Sequence, residues 1–154
     1  MKLVRINPAE GVIRWEDSPT EYELAGGRLL SAKILDREVP PDCDPLSELN
    51  KLVFAPGLLA GSRLPASGRI SVGAKSPLTG GIKESNGGGL TALRMAELGI
   101  KALVIEGARP EGLFVLEVTP GAVKLHPAEE LAGKGCYETA RLLQERFGTK
   151  AAYS

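Results

Sequence analysis

Apolar and polar residues alternate through "KLVRI" and "GVIRWED" on either side of the turn "NPAEG", and this period of two predicts a β-hairpin over residues 2–16. In "TEYELAGGRLLSAKILDREV" the period changes. After the Gly26-Gly27 break, Leu29, Leu30, Ala32, Ile34 and Leu35 recur at helical spacing, and Pro40-Pro41 sets the limit of a helix expected to pack on the hairpin. "NKLVFAP" and "GRISVGAK" read as two further strands, joined by the long Gly-, Pro- and Ser-containing connection "GLLAGSRLPASG". The glycine-rich stretch "KSPLTGGIKESNGGG", residues 75–89, then reads as a loop that ends where a helix begins.

That helix is "LTALRMAEL", with Leu90, Leu93 and Ala96 accompanied by Met95 and Leu98, closed by Gly99 and followed by the buried strand "KALVIEG". "LFVLEV", the turn "TPGA" and "VKLHP" repeat the hairpin pattern. Cys136, Ala140, Leu143 and Phe147 mark the core stripe of a last helix. Hairpin followed by helix therefore occurs twice, predicting an α+β class built from two β-hairpin/helix units, within one domain spanning residues 1–154.

Charge narrows the function classes. The chain carries 19 basic and 19 acidic residues, so the basic footprint of a nucleic-acid binder is missing. No apolar run suits a signal peptide or a membrane span, and two distant cysteines, Cys43 and Cys136, suggest inert buried thiols in a reducing compartment, so the expected location is cytoplasmic.

Side-chain catalysis finds few parts. His126 is the only histidine, beside Pro127 at a strand end, and reads as a surface residue. Asp42, Asp44 and Glu48 read as turn and cap chemistry better than as a cation site. "GAKS" fails the spacing of a P-loop, and "SNGGG" fails that of a dinucleotide turn. What residues 75–89 offer is bare backbone, with free N–H groups expected at the following helix start and Arg69 and Lys75 as flanking positive charge.

"GGRLLSAKIL" (26–35), "DPLSELNKLVFAPGLLAGS" (44–62), "SGRISVGAKSPLTGGIKESNGGG" (67–89) and "LGIKALVIEG" (98–107) resemble the N-terminal domain of the tungsten-containing aldehyde ferredoxin oxidoreductases. The order "SGR", "KSPLTG", "SNGGG" is the specific part, and the similarity runs through nearly the whole chain. The resemblance implies a base on which a tungsten (or molybdenum) bis-pterin cofactor lies, with a magnesium ion joining the two pterin phosphates. It implies that Arg69 lies between pterin and a four-iron cluster, that Asn86 gives its backbone carbonyl to magnesium, and that Ser85, Gly87 and Gly88 with their neighbours contact pterin. Lys75 and Ser76 belong to the same signature. The chain departs from the family pattern at "GLLAG" (57–61), "ELN" (48–50) and Leu90.

In that family the cluster cysteines, a second magnesium-binding carbonyl and the acid/base residues belong to later domains. Two cysteines cannot hold a 4Fe-4S cluster that takes four thiolates, so this segment alone is expected to be inactive. The favoured reading is the N-terminal domain of an enzyme that oxidises aldehydes to carboxylic acids and passes electrons to ferredoxin. The alternatives are a stand-alone pterin-binding module or small subunit completed by a separate catalytic chain, and a folded relic that binds nothing. The face that cofactor and neighbouring domains would cover is expected to drive self-association into a homo-oligomer when bare.

Overall fold

The computed structural model describes residues 1–153. Eight strands and three helices follow one another as β1 (Lys2–Asn7), β2 (Val12–Asp17), α1 (Gly27–Glu38), β3 (Leu52–Pro56), β4 (Ile70–Lys75), β5 (Ile82–Gly87), α2 (Thr91–Glu97), β6 (Ile100–Ile105), β7 (Phe114–Thr119), β8 (Ala122–Pro127) and α3 (Cys136–Phe147). Six of the strands form one mixed sheet in the order β2-β1-β6-β3-β4-β5, while β7 and β8 pair only with each other. β6 runs parallel to β1 and antiparallel to β3, which makes it the hinge of the topology. Its run "IKALVI" is buried at all but the last position, as expected of a strand covered on both faces.

Each sheet face has its own core. On one side α1 lays Leu30, Ile34 and Leu35 against Val53, Ala55 and Val104. Each fully buried aliphatic side chain contributes roughly 1.5–3 kcal/mol. Gly73 permits this approach, since a Cβ there would stand 3.0 Å from the Ser31 side chain and 3.2 Å from Leu35. The other face buries Ile70, Ile100 and Leu103 under Ala92 and Met95 of α2, with the β7–β8 hairpin alongside. Half-buried ionic groups rim the first core: Arg5 is held by Glu38 at 2.7 Å and Glu16 at 2.8 Å, and Glu106 joins Arg5 to Arg14 and Lys51.

Several sequence expectations change here. α1 packs across β3 and β4 rather than on the β1–β2 hairpin. Within it Leu29 is exposed and Ser31 buried, because the buried arc falls at Gly27, Leu30, Ser31, Ile34 and Leu35. Residues 82–87, read as loop, form β5, paired antiparallel to β4 from Lys75↔Ile82 to Ile70↔Gly87. α3 buries none of its residues, and Cys136 is an exposed thiol rather than a core position.

The doubled unit is present locally. In each copy two six-residue strands lead through a three-residue 3-10 turn to a twelve-residue helix. Both copies carry "ELAG" before the helix, at 23–26 and 130–133. Their settings differ: the first hairpin extends the large sheet, and the second stands as its own two-stranded sheet.

Candidate functional site

β4 and β5 place alternate residues on the same face, so Ser71, Asn86, Gly73 and Glu84 all point toward α1. Arg69 leads into β4 on that side. Its Nε donates to Asn86 Oδ1, and Asn86 Nδ2 donates to Ser71 Oγ at 3.1 Å. Arg69 is otherwise exposed, and its terminal nitrogens make no hydrogen bond among the described residues. A second guanidinium, from Arg28 in the first turn of α1, reaches Glu84 Oε2 at 3.1 Å. The Ser71 hydroxyl foremost, then Arg28, outweigh burial and hold the Glu84 carboxyl below the usual carboxylate range, while its Oε1 is buried without a hydrogen bond of its own.

Around this polar line the chain contributes almost nothing but main chain. Gly88 lies against Arg69, whose Nη1 would stand 3.8 Å from a Cβ placed there. Gly57 is bonded to the Arg69 carbonyl through its N–H at 2.9 Å, and Gly68 faces the carbonyl of Gly89. Gly27 sits over the Ser71 hydroxyl, and Gly26 abuts Leu58 so closely that a Cβ would lie 2.7 Å from the Leu58 Cα. Glycines from four separate stretches, 26–27, 57, 68 and 87–89, thus meet at one end of the β4–β5 pair.

Two of them serve no fold requirement. Gly87 and Gly88 lie outside the left-handed region, and an added Cβ at either would meet nothing nearer than 3.8 Å. Alanine would fit the protein at both positions. Their bareness leaves open space beside Arg69.

The sequence-predicted residues separate accordingly. Arg69, Asn86, Gly87 and Gly88 come together. Ser85 is exposed on the opposite face of β5 from Asn86, its partner on β4 being Val72. Lys75 stands at the far end of β4, six positions from Arg69 or roughly 20 Å along the strand. Its ammonium is buried, donating to the carbonyls of Pro41 and of Cys43, the latter at 2.7 Å. Ser76 is spent on its turn, its Oγ accepting from the N–H groups of Leu78 and Thr79. The helix start after Gly89 is weaker than expected, because α2 has only seven residues and no side-chain cap.

Other candidates resolve as structural. His126 bonds Glu117 at 2.9 Å and meets the edge of the Phe147 ring at 5.3 Å. Asp44 closes its turn by accepting from Leu46 N–H at 2.9 Å. Among the described residues no group of three or more His, Cys, Asp or Glu side chains is placed to hold a metal, and no helix is long and apolar enough to cross a membrane. Sequence reading missed Gly26, Gly27, Gly57 and Gly68 as parts of the site. Only their convergence in space joins them to "SNGGG".

The chain is similar to known proteins over nearly its whole length. Residues 3–154 match the family model described as the aldehyde ferredoxin oxidoreductase N-terminal domain. The chain is 34% identical over 151 residues to a tungsten-containing aldehyde ferredoxin oxidoreductase of Pyrococcus horikoshii, 35% to that of Pyrococcus abyssi and 32% to that of Pyrococcus furiosus. Each match covers 97% of this chain but 25% of the relative, so the chain spans about a quarter of their length. Among solved structures, the active site complex BamBC of benzoyl coenzyme A reductase in complex with 1,5-dienoyl-CoA superposes with a TM-score of 0.90 at 30% identity, over 97% of this chain and 23% of that one.

Proposed function

This chain belongs to the family of aldehyde ferredoxin oxidoreductase N-terminal domains, and we propose that its glycine-lined end of β4–β5 is the bed for a tungsten (or molybdenum) bis-pterin. The observation that carries the reading is the bareness of Gly87 and Gly88, which neither backbone conformation nor packing demands. A flat ring system can lie against such a surface at main-chain distance.

The donor set fits the same group. Arg69 offers its terminal N–H pairs, a permanent planar cation suited to ring oxygens and phosphate. Both side-chain functions of Asn86 are already engaged by Arg69 and Ser71, so a contact from this residue to magnesium falls to its backbone carbonyl, a hard oxygen donor. Ser85, on the other face, would contribute main chain only. Lys75 supports the fold and takes no part in the bed. When bound, the metal–pterin group supplies the redox chemistry; this chain's residues position it and carry no acid or base for the reaction.

The intact protein is then an oxidoreductase that converts an aldehyde to a carboxylic acid and hands electrons through a 4Fe-4S cluster to ferredoxin, with the cluster and substrate pocket supplied by further domains or a separate catalytic chain. A reductase complex of different named substrate shares the fold over this segment. That supports reading the common part as cofactor bed, with the substrate chosen elsewhere. Leu58, Leu59, Leu64 and Leu90, exposed close to the bed in sequence, would meet those other parts.

Arg69→Lys in the full-length protein tests the assignment, since lysine keeps the charge but loses the fork. Tungsten and pterin content per folded protein should fall at least tenfold. Full occupancy in that variant would remove Arg69 from the site.

A further inference from the structure

Away from the glycine bed, two nucleophilic side chains are enclosed together. Lys75 and Cys43 are each 8% exposed, and Lys75 Nζ lies 4.0 Å from Cys43 Sγ. The amine cannot wander. Two of its N–H groups are held by the carbonyls of Pro41 and Cys43 and the third is directed at Cys43 Sγ, while Asn50 clamps the Lys75 backbone from both sides, accepting from its N–H and donating to its C=O, each at 3.0 Å. The thiol is equally placed by the turn in which Cys43 N–H reaches the Pro40 carbonyl at 3.2 Å. Both cysteines of the chain are free thiols, and Cys136 is exposed on α3.

We propose that Cys43 and Lys75 form an oxidation site, closed by dioxygen into a covalent Sγ–O–Nζ bridge. The step balances as one thiol, one amine and one dioxygen giving one bridge and one water. The S–H bond, one N–H bond and the O=O bond break; S–O and N–O bonds form. Sulfur and nitrogen are oxidised, dioxygen is reduced, and its second oxygen leaves as water with the two released hydrogens. Written from the ammonium, the same step releases one further proton. A bridge that retains one oxygen spans more of the 4.0 Å gap than a direct S–N bond would, so it requires less movement of the clamped lysine. Fixed proximity replaces a bimolecular encounter, and burial restricts access to oxidants as small as dioxygen.

The bridge would join positions 32 apart in sequence and staple the segment that follows α1 to the end of β4. It would thus be a reversible, oxygen-dependent fastening: two equivalents of a dithiol supply the four electrons and four hydrogens that restore thiol and amine, the bridging oxygen leaving as water and the dithiols as disulfides.

The test compares the full-length protein, purified without oxygen, before and after exposure to air. Peptide mapping should recover the Cys43 and Lys75 peptides joined, with one oxygen gained and two hydrogens lost. Dithiothreitol should return both to their original masses. Cys43→Ser and Lys75→Arg should each abolish the joined species. If Lys75→Arg does not fold, mapping of the unmodified protein decides alone. After air exposure, a Cys43 that still alkylates as a free thiol, a Cys43 carried to sulfinic acid beside an unlinked Lys75, or a direct S–N link without the oxygen would each overturn the proposal.

Discussion

Replacing Gly88 by alanine separates a glycine kept for a ligand from one kept for the fold. Nothing in the protein lies within 3.8 Å of the new Cβ, and the backbone there is outside the left-handed region. Alanine should therefore raise stability by about 0.4–1 kcal/mol, because it restricts the unfolded chain. Gly26→Ala is the contrast. Its backbone is extended, at φ −157°, but its Cβ would strike the Leu58 main chain, 2.7 Å from Cα. Overpacking against backbone of this kind costs about 1–3 kcal/mol. Urea unfolding of the two variants should place them on opposite sides of the parent protein. If the proposed bed is right, Gly88→Val in the full-length protein should in turn keep its fold and lose bound tungsten, measured as metal per folded protein. If Gly88→Ala is destabilised as much as Gly26→Ala, the bare strip is a folding device, and if Gly88→Val keeps all its metal, the proposed bed is refuted.

Other consequences are equally open to measurement. Lys75→Met strands the carbonyls of Pro41 and Cys43 and should cost about 1–3 kcal/mol in urea unfolding, yet leave tungsten content per folded molecule unchanged; a selective loss of metal would return Lys75 to the site. Burial pushes the Glu38 and Glu106 carboxyls up, but their bonds to Arg5 and Lys51 together outweigh it, so both rest below their ordinary value of 4.5. With folded-state values depressed, their contribution is complete above that value and is lost as pH falls through the folded-state ones. Thermal midpoints measured down from pH 6 should accordingly drop below about pH 4.5, and less steeply in Glu106→Gln; a parallel drop in both proteins would exclude the ionic cluster as the cause.

Much of this architecture is written locally, and the exceptions share one character. The hairpins, α1, α2 and the buried run of β6 follow from period and turn chemistry alone. β5 does not, because "IKESNG" has weak strand propensity and only one strongly apolar residue. It becomes a strand because the turn from Ser76 to Gly81, closed by Ser76 N–H to Gly81 carbonyl at 2.8 Å, folds it back on β4. The strand order, with β6 between β1 and β3, rests on long-range pairing that no local pattern encodes. The α3 stripe was legible as periodicity, but periodicity says nothing of whether a partner surface is at hand. At the site, "SNGGG" and Arg69 were legible as a motif. Gly26, Gly27, Gly57 and Gly68 were not, since a glycine's neighbours are set by tertiary structure.

The tie between Arg69 and Asn86 also fixes a direction. A guanidinium with its inner nitrogen already occupied has surrendered most of its rotation before any guest arrives, so little further disorder is lost on docking. What it still presents is one edge, aimed along one line. A guest entering this surface is thus sorted by its angle of approach as well as by its charge.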